Sequence, residues 1–199
     1  MAITHEWDNR YSNSAFIYGL EPNEYFQQEL SRLKPGKLLL PGEGEGRNAL
    51  WAAKKGWEVT AIDSSSTAQQ KALTLFSQND VTVHYLTSDI MHFKTNSQFD
   101  AIGLIYVHLP QSIQQQAANR IVGMLKPKGT LIVEMFHPDQ IPLSSGGPKS
   151  IDMFSSIEEL NQYYKELNIE HIARHEVELN EGLLHKGQAV VIRMIAVKP

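Results

Sequence analysis

Short apolar runs recur along the first two thirds of the chain and alternate with segments that have helical periodicity. Strands that are apolar on both faces are typical of a parallel sheet with helices on each side. We predict five such strands, at 37–40, 57–63, 81–86, 99–106 and 130–136. Helices built from good helix formers or carrying an apolar stripe are predicted between them, at 46–55, 64–77 and 111–125.

The final third of the chain has a different pattern. A helix is predicted at 157–167, a strand with polar alternation at 169–179, and a long apolar strand at 188–197. Two consecutive strands with no helix between them pair in antiparallel fashion. Residues 1–33 form an N-terminal extension with a predicted helix at 21–33. The pattern predicts an α/β, Rossmann-like doubly wound sheet that is mostly parallel and ends in an antiparallel hairpin.

Length and composition fit a single domain over 1–199, with 42% hydrophobic and 20% charged residues. The formal net charge is −4 and the basic residues are scattered, which argues against a nucleic-acid partner. The chain has no cysteine, so disulfides and thiolate metal sites are excluded. It shows no signal-peptide pattern and no apolar run of the roughly 18 residues that a membrane span needs. We expect a soluble, cytoplasmic monomer without a membrane partner.

A glycine-rich segment between the first predicted strand and the next helix is the strongest local signal. Gly42, Gly44 and Gly46 permit a tight turn and let a ligand approach the backbone. A dinucleotide fingerprint has the spacing G-x-G-x-x-G, whereas here the third glycine comes one residue early and Arg47 follows it. The Gly-Lys-Ser/Thr of a phosphate loop is absent. The spacing favours a ligand without pyrophosphate, and an ordinary strand-to-helix turn is the alternative.

Two acidic residues follow the next two predicted strands. Asp63 ends the second strand, where a carboxylate can accept hydrogen bonds from ribose hydroxyls. Its alternative role is the N-cap of the following helix. Asp89 follows the third strand and can accept a hydrogen bond from an adenine amino group, or it can be a loop aspartate. Both positions belong to the edge at which parallel sheets bind ligands.

Together these features resemble class I S-adenosylmethionine-dependent methyltransferases, and more narrowly the small tellurite-resistance-type and thiopurine-methyltransferase-like groups. The similarity extends over nearly the whole chain and keeps the family's order. It includes the opening Trp7-Asp8-x-Arg10-Tyr11, the segment 18–23, the glycine segment 44–49, and the segments 57–63, 99–102 and 125–130. The stretch from Glu159 to Tyr164 and the C-terminal strand also match.

The resemblance implies a seven-stranded sheet and S-adenosylmethionine as the cofactor. It places the cofactor over Gly42, Gly44 and Gly46, the ribose on Asp63, and the adenine near Asp89 and Ile90. The family usually has an acidic residue two positions before its first glycine, which supports the methionine end of the cofactor. Here Leu40 occupies that position. Glu43, Glu45 or N-terminal residues such as Tyr11 are the candidates to replace it.

Methyl transfer is an in-line displacement, so the protein mainly aligns the reactants and excludes water. An amine or hydroxyl acceptor also needs a base, whereas a thiol or reduced chalcogen can react as its anion. His108, after the fourth strand, is the candidate catalytic base, because its ordinary pKa lies near neutrality. A hydrogen bond to a loop carbonyl is its alternative role, and His137 is the second candidate base.

Other residues near the predicted site have both functional and structural interpretations. The segment 146–149 can form a substrate lid that presents Lys149 to an anion, or it can be a surface loop. Trp7, Tyr11 and Tyr18 can line the pocket or simply bury the N-terminal extension. His171 and His175 lie four residues apart in a predicted strand without a third ligand, so we predict no metal site.

We therefore predict an enzyme that methylates a small molecule, with a thiol or chalcogen species as the candidate acceptor. A nucleotide-dependent oxidoreductase is the first rival, although the glycine spacing disfavours it. The second rival is a protein that binds S-adenosylmethionine without catalysis, since Leu40 departs from the family pattern.

Overall fold

The computed structural model describes residues 2–199, with side chains from residue 7 onwards. One sheet in the described chain has seven strands in the order β3-β2-β1-β4-β5-β7-β6. They are β1 (Lys37–Pro41), β2 (Glu58–Asp63), β3 (His84–Thr87), β4 (Phe99–Ile105), β5 (Leu125–Phe136), β6 (Asn168–Glu181) and β7 (His185–Val197). The helices are α1 (Ala2–Tyr11), α2 (Glu24–Leu30), α3 (Arg47–Lys54), α4 (Ser66–Gln78), α5 (Gln111–Met124) and α6 (Ile157–Tyr163).

Strands β1 to β5 are parallel, and β7 is inserted antiparallel between β5 and β6. The predicted fold class, including the terminal antiparallel hairpin, is confirmed. Because β7 opposes both of its neighbours, β6 runs in the same direction as β5. The turn between β6 and β7 therefore lies at the carboxyl edge of the sheet, beside the ends of the parallel strands.

The two faces of the sheet are covered by different helices. Residues of α2, α3 and α4 pack with β1 and β2 on one face, around the fully buried Phe26 and Leu38. Residues of α5 and α6 pack on the other face, around the fully buried Leu125 and Leu131. Both faces of the parallel strands are therefore apolar, which is why the sequence shows continuous hydrophobic runs there.

Element boundaries differ from the predicted ones mainly where side chains cap helices. The helix predicted at 21–33 begins at Glu24, because the Asn23 side chain accepts a hydrogen bond from the Phe26 N–H (2.9 Å). The helix predicted from residue 64 begins at Ser66, because Ser65 accepts from the Ala68 N–H (3.1 Å). Helix α1 was not predicted, since its sequence has no clear apolar stripe.

The terminal hairpin is longer than the apolar pattern predicts. Strand β6 continues to Glu181 and β7 begins at His185, and these two residues are paired. The end of β5, Phe136, pairs with Val191. Residues 185–190 of β7 therefore extend beyond the end of β5, and the hairpin overhangs the carboxyl edge of the sheet.

Glu43, in the turn after β1, is a buried carboxyl group that caps α3 from the preceding loop. It is 8% exposed, and its Oε1 accepts a hydrogen bond from the Ala49 N–H (2.7 Å) in the first turn of α3. Burial raises the pKa of Glu43 to about 7, although hydrogen bonds from Ala49 and the charge of Arg47 oppose the rise. A carboxyl group that ionises less readily in the folded protein lowers stability as it becomes charged.

We predict that Gly103→Ala destabilises the protein. A Cβ at this position in β4 would lie 2.9 Å from both Leu40 Cδ2 and Phe26 Cε2. Overpacking of this kind costs about 1–3 kcal/mol. Gly123→Ala is the matched control, because a Cβ there meets nothing within 4 Å and alanine is the better helix former. Chemical denaturation should show a loss for the first variant and no loss for the second; equal effects would contradict this packing.

We also predict that Glu43→Gln becomes more stabilising, relative to the wild type, as the pH rises. The wild-type carboxyl is protonated in both states at low pH, and above the unfolded-state pKa the unfolded chain ionises first. Wild-type stability is therefore lost as pH rises through the folded-state pKa of about 7, while the glutamine variant has no such loss. The shift corresponds to about 3 kcal/mol at most. Urea titrations from pH 4 to 8 measure it, and a constant difference between the variants would contradict the buried titration.

Candidate active site

The glycine segment forms the turn between β1 and α3 at the carboxyl edge of the sheet. Gly42, Gly44 and Gly46 all have left-handed backbones, with φ of 65°, 64° and 92°. A Cβ on Gly44 would lie 2.7 Å from the Tyr11 hydroxyl, and a Cβ on Gly42 would lie 3.0 Å from Val107 Cγ2. Glycine is thus required here by both backbone conformation and close approach.

Asp63 stands at the end of β2, beside this turn. Its Oδ2 accepts from the Gly44 N–H (2.9 Å) and its Oδ1 from the Ser65 N–H (2.8 Å). Burial raises the pKa of Asp63, and the same two N–H groups partly oppose the rise. The N-cap of α4 is Ser65, so the capping alternative for Asp63 is wrong. A carboxylate has about four acceptor positions, and here backbone N–H groups of Gly44, Ser65 and Ser64 act on the Asp63 carboxylate.

Asp89 and Ile90 follow β3 at the same edge. Asp63 pairs with Thr87 across β2 and β3, so Asp89 lies two residues beyond the partner of Asp63. Its Oδ1 accepts from the N–H groups of Met91 (2.8 Å) and His92 (3.0 Å). Partial burial alone would raise the pKa of Asp89, but hydrogen bonds from His92 outweigh it and lower the pKa. Ile90 is buried, so this turn presents an apolar side chain next to a charged one.

Leu40 and the two glutamates of the glycine segment have separate roles. Leu40 is 1% exposed and packs in the core, so the usual acidic position of the family faces no ligand here. Glu43 caps α3, as described above. Glu45 accepts from the Ile17 N–H (2.7 Å) and forms an ion pair with Lys71. Glu45 therefore connects the glycine segment to the N-terminal extension.

The N-terminal extension lies over the glycine segment. The Asp8 carboxylate accepts from Ser65 Oγ (2.6 Å) and from the Thr67 N–H (3.2 Å), which attaches α1 to the start of α4. Tyr11 is buried, stacks on Trp7 with ring centroids 5.6 Å apart, and has its pKa raised by burial. The Tyr11 hydroxyl consequently covers the face of the loop that bears Gly44.

His108 and His137 follow β4 and β5, as predicted, but both are held by the backbone. His108 Nδ1 lies 3.2 Å from the Met153 carbonyl oxygen, and Nε2 accepts from the Phe136 N–H (3.3 Å). Burial lowers the pKa of His108 to about 4. His137 Nδ1 accepts from the Asp139 N–H (3.1 Å), and burial lowers its pKa as well. These contacts favour the structural alternative for His108, and its catalytic role stays a prediction.

A buried polar cluster at this edge was not predicted from the sequence. Tyr106, directly after β4, has φ of 54°, which is strained for a tyrosine. Its hydroxyl donates to Glu134 Oε1 (2.9 Å), which also accepts from Asn23 Nδ2 (2.6 Å). Glu134 Oε2 accepts from Arg193 Nε (2.5 Å). Glu134 is a lone carboxylate in an apolar strand, and that signal could have identified the cluster, because buried charges require partners.

The hairpin adds a second part to this cluster. Glu181 accepts from Asn23 Nδ2 (3.0 Å) and from Arg47 Nη2 (2.9 Å). His185 Nδ1 lies 3.3 Å from Glu181 Oε2. Its ring centroid is 4.5 Å from those of both Tyr18 and Tyr106. No local sequence signal marks His185, because only the length of the hairpin brings it to the site.

The remaining candidate residues lie at the margins. Lys149 is exposed in its loop, whereas Gly146 is packed so closely that a Cβ would lie 2.7 Å from His185 Cδ2. The rings of His171 and His175 are 5.8 Å apart. Among the side chains that are described, from residue 7 onwards, no group of three His, Cys, Asp or Glu residues is placed to hold a metal ion. None of the helices in that range is long and apolar enough to cross a membrane.

Part of the chain is similar in sequence to known methyltransferases. A family model described as "Methyltransferase domain" matches residues 39–129. The ubiquinone biosynthesis O-methyltransferase of Rickettsia akari (strain Hartford) is 27% identical over 141 residues, covering 66% of this chain and 55% of that protein. The probable thiol methyltransferase 2 of Arabidopsis thaliana is 30% identical over 124 residues, covering 60% of this chain and 54% of that protein. The chain thus spans just over half the length of these relatives.

Solved structures share the fold at low sequence identity. TehB from Haemophilus influenzae has a TM-score of 0.73 at 17% identity, covering 98% of this chain and 67% of that one. The N-methyltransferase NodS from Bradyrhizobium japonicum WM9, in complex with S-adenosylhomocysteine, has a TM-score of 0.71 at 14% identity, covering 98% of this chain and 98% of that one. The [4+2]-cyclase SpnF has a TM-score of 0.74 at 18% identity, covering 99% of this chain and 95% of that one. Because one neighbour is a cyclase, the fold alone does not decide the reaction.

The matched segment contains the glycine turn, Asp63 and Asp89, and the fold as a whole is shared with a solved N-methyltransferase. The resemblance seen in the sequence is confirmed. Residues 39–129 of this chain are thus similar to the methyltransferase domain, and the chain shares its fold with solved methyltransferases.

Proposed function

We propose that this protein transfers a methyl group from S-adenosylmethionine to a small-molecule nucleophile. The observation that carries the proposal is the meeting of three left-handed glycines, the Asp63 carboxylate and Tyr11 at the carboxyl edge of the sheet. Parallel sheets bind ligands at this edge, and the turn is exposed at Gly42, while Tyr11 lies against Gly44. S-adenosylmethionine is the cofactor of the family, and its sulfonium-bound methyl group supplies the chemistry when it is bound.

The residues present fit a nucleoside cofactor without phosphates. Asp63 is assigned to the ribose hydroxyls, because a carboxylate has about four acceptor positions and its bonds to backbone N–H groups do not use all of them. Asp89 and Ile90 are assigned to the adenine, one as a polar group and the other as an apolar contact. Tyr11 is assigned to the methionine end, where the family's acidic residue is replaced by Leu40. The aromatic N-terminal extension would exclude water above the glycine turn.

The start of α3 argues against a dinucleotide cofactor. Pyrophosphates bind at helix N-termini, where free N–H groups and the helix dipole attract negative charge. Here the Glu43 carboxyl group already occupies the Ala49 N–H, and Arg47 is engaged by Glu181. A pyrophosphate would have to displace an acidic group from the helix. This arrangement supports S-adenosylmethionine over the oxidoreductase alternative.

The acceptor is proposed to be a small molecule with a hydroxyl, thiol or chalcogen nucleophile. Relatives of this chain are named as O-methyltransferases and as a probable thiol methyltransferase. The cluster of Tyr18, Tyr106, Phe136 and His185 lies at the ends of β4, β5 and the hairpin, and it supplies an apolar wall for such an acceptor. Formation of S-adenosylhomocysteine with a panel of phenols, thiols and selenite tests the proposal. Tight cofactor binding without product from any acceptor would favour the non-catalytic alternative.

We predict that S-adenosylmethionine stabilises the folded protein and that NAD does not. A ligand at 100 times its dissociation constant adds about 2.7 kcal/mol to the free energy of unfolding. Thermal denaturation with each compound measures the effect. A rise in melting temperature with NAD alone would contradict the cofactor assignment.

We further predict that Asp63→Asn weakens binding of S-adenosylhomocysteine about tenfold or more, since a hydrogen bond to a charged group contributes roughly 1.5–3 kcal/mol. Some stability is also lost, because Asp63 anchors the Gly44 N–H. Ser156→Ala is the control: it removes the side-chain N-cap of α6, costs about 1 kcal/mol of stability, and should leave affinity unchanged.

Calorimetry with the 2′-deoxyribose analogue of S-adenosylhomocysteine separates the ribose contact from loop distortion. The wild type should bind the analogue less tightly, and Asp63→Asn should show little further loss, because the two changes remove the same contact. Additive losses would mean that Asp63 does not touch the ribose.

A further inference from the structure

The turn after β3 presents a hydrogen-bond acceptor and a donor side by side. The acceptor is the Asp89 carboxylate, whose side chain is 48% exposed. The donor is the N–H of Ile90, which donates to no acceptor among the described residues. An adenine ring has the complementary pair on one edge, because its amino group donates and its N1 accepts. A hypoxanthine ring reverses both, since it carries a carbonyl oxygen and an N1–H there.

The strands and the core give this turn little support. Strand β3 has only four residues, lies at one end of the sheet and pairs with β2. The start of the turn is held by the Ser88 N–H, which donates to the Asp63 carbonyl (2.8 Å). Behind it, a cavity of about 40 Å³ is lined by Ile90, Leu104 and Ile121 among others. Because a void supplies no packing contacts, the Ile90 side chain does not by itself fix the turn.

Arg120, on α5, bonds to the far side of the turn. Its Nε donates to the Ile90 carbonyl (2.8 Å), and its Nη2 donates to the Phe93 carbonyl (2.5 Å). Both acceptors are backbone carbonyls of the same turn, and hydrogen bonds from a charged donor are roughly twice as strong as neutral ones. The planar guanidinium thus connects the two carbonyls in one fixed geometry.

These bonds fix the peptide groups on both sides of Ile90. The preceding peptide group contains the Asp89 carbonyl, which accepts from the Phe93 N–H (2.9 Å), and the Ile90 N–H itself. The following peptide group contains the Ile90 carbonyl, which accepts from Arg120. Since a peptide group is planar, the direction of the Ile90 N–H depends on the first of these bonds. Arg120 keeps that bond in place by holding Phe93 and Ile90 together.

We propose that Arg120 is a positioning residue for recognition of the adenine base. It acts through the turn: it holds the Asp89 carboxylate and the Ile90 N–H so that they face the amino group and N1 of the base. This assignment rests on the proposed function. The consequence is selectivity for adenine over hypoxanthine, because a reversed base would leave the donor and the acceptor of the turn unpaired.

The test compares S-adenosylhomocysteine with S-inosylhomocysteine, its hypoxanthine analogue, by calorimetry. The wild type should bind the adenine compound about 30-fold or more tightly, since two unpaired groups are left by the analogue. Arg120→Met keeps the apolar part of the side chain and removes the donors. It should lower affinity for S-adenosylhomocysteine about tenfold and affinity for the analogue much less, so the preference for adenine shrinks. A merely structural role would lower both affinities alike.

Two further variants complete the test. Arg120→Lys keeps the charge but loses the planar fork, so its preference for adenine should fall between those of the wild type and Arg120→Met. Arg32→Met is the control for the same chemical change at a site that is 62% exposed on the surface, and it should leave both affinities unchanged. Urea denaturation of each variant confirms that binding is measured on folded protein.

Each failure has its own meaning. Equal losses of affinity for both compounds in the Arg120 variants, or no loss for either, overturn the role of Arg120 and leave the proposed function standing. A wild type that binds the two compounds equally overturns base recognition by Asp89 and Ile90, and the role of Arg120 with it. Failure of the wild type to bind S-adenosylhomocysteine at all overturns the proposed function itself.

Discussion

The buried ion pair between Arg47 and Glu181 is the contact on which the arrangement of the site depends. Arg47 opens the helix after the glycine turn, and Glu181 ends the strand that overhangs the sheet. The same guanidinium donates to the carbonyl groups of Tyr18 (3.1 Å) and Glu21 (3.4 Å) in the N-terminal extension. Buried charges are costly without partners, so the pair persists only while all three segments stay together. The glycine turn, the hairpin and the N-terminal extension are thus joined at Arg47.

The glycine turn is preorganised by the protein's own acidic groups. Asp63 holds the Gly44 N–H, Glu43 holds the start of α3, and Glu45 holds the Ile17 N–H of the extension. Asp63 and Glu43 thereby occupy backbone donors of the turn and of α3 that a phosphate ligand would otherwise use. The turn therefore keeps its shape without a ligand and favours a nucleoside that carries no phosphate groups. A preformed turn avoids the entropy cost of ordering a loop on binding.

The sequence predicted the parts of the fold that depend on local composition. Buried strands appear as apolar runs because both of their faces are covered, and the terminal hairpin appears because no helix separates its strands. Asp63 and Asp89 were predicted to lie at the carboxyl edge of the sheet, because each stands at or just after the end of a parallel strand. Helix α1 was missed because it is held by the Asp8 contacts with α4 rather than by an apolar stripe. The base prediction for His108 followed from its place after β4, and the sequence did not reveal that Met153 and Phe136 use both of its nitrogens.

By itself, the sequence determined the fold class, the glycine turn and the position of Asp63, because strand burial, glycine spacing and strand ends are local properties. Only the tertiary structure decided which polar residues meet. Tyr18, Tyr106, Glu181 and His185 come from distant parts of the chain, and the length of the hairpin beyond β5 brings them to one edge. Register and overhang depend on pairing between strands, which no single segment encodes. The polar cluster beside the glycine turn is therefore a property of the assembled sheet.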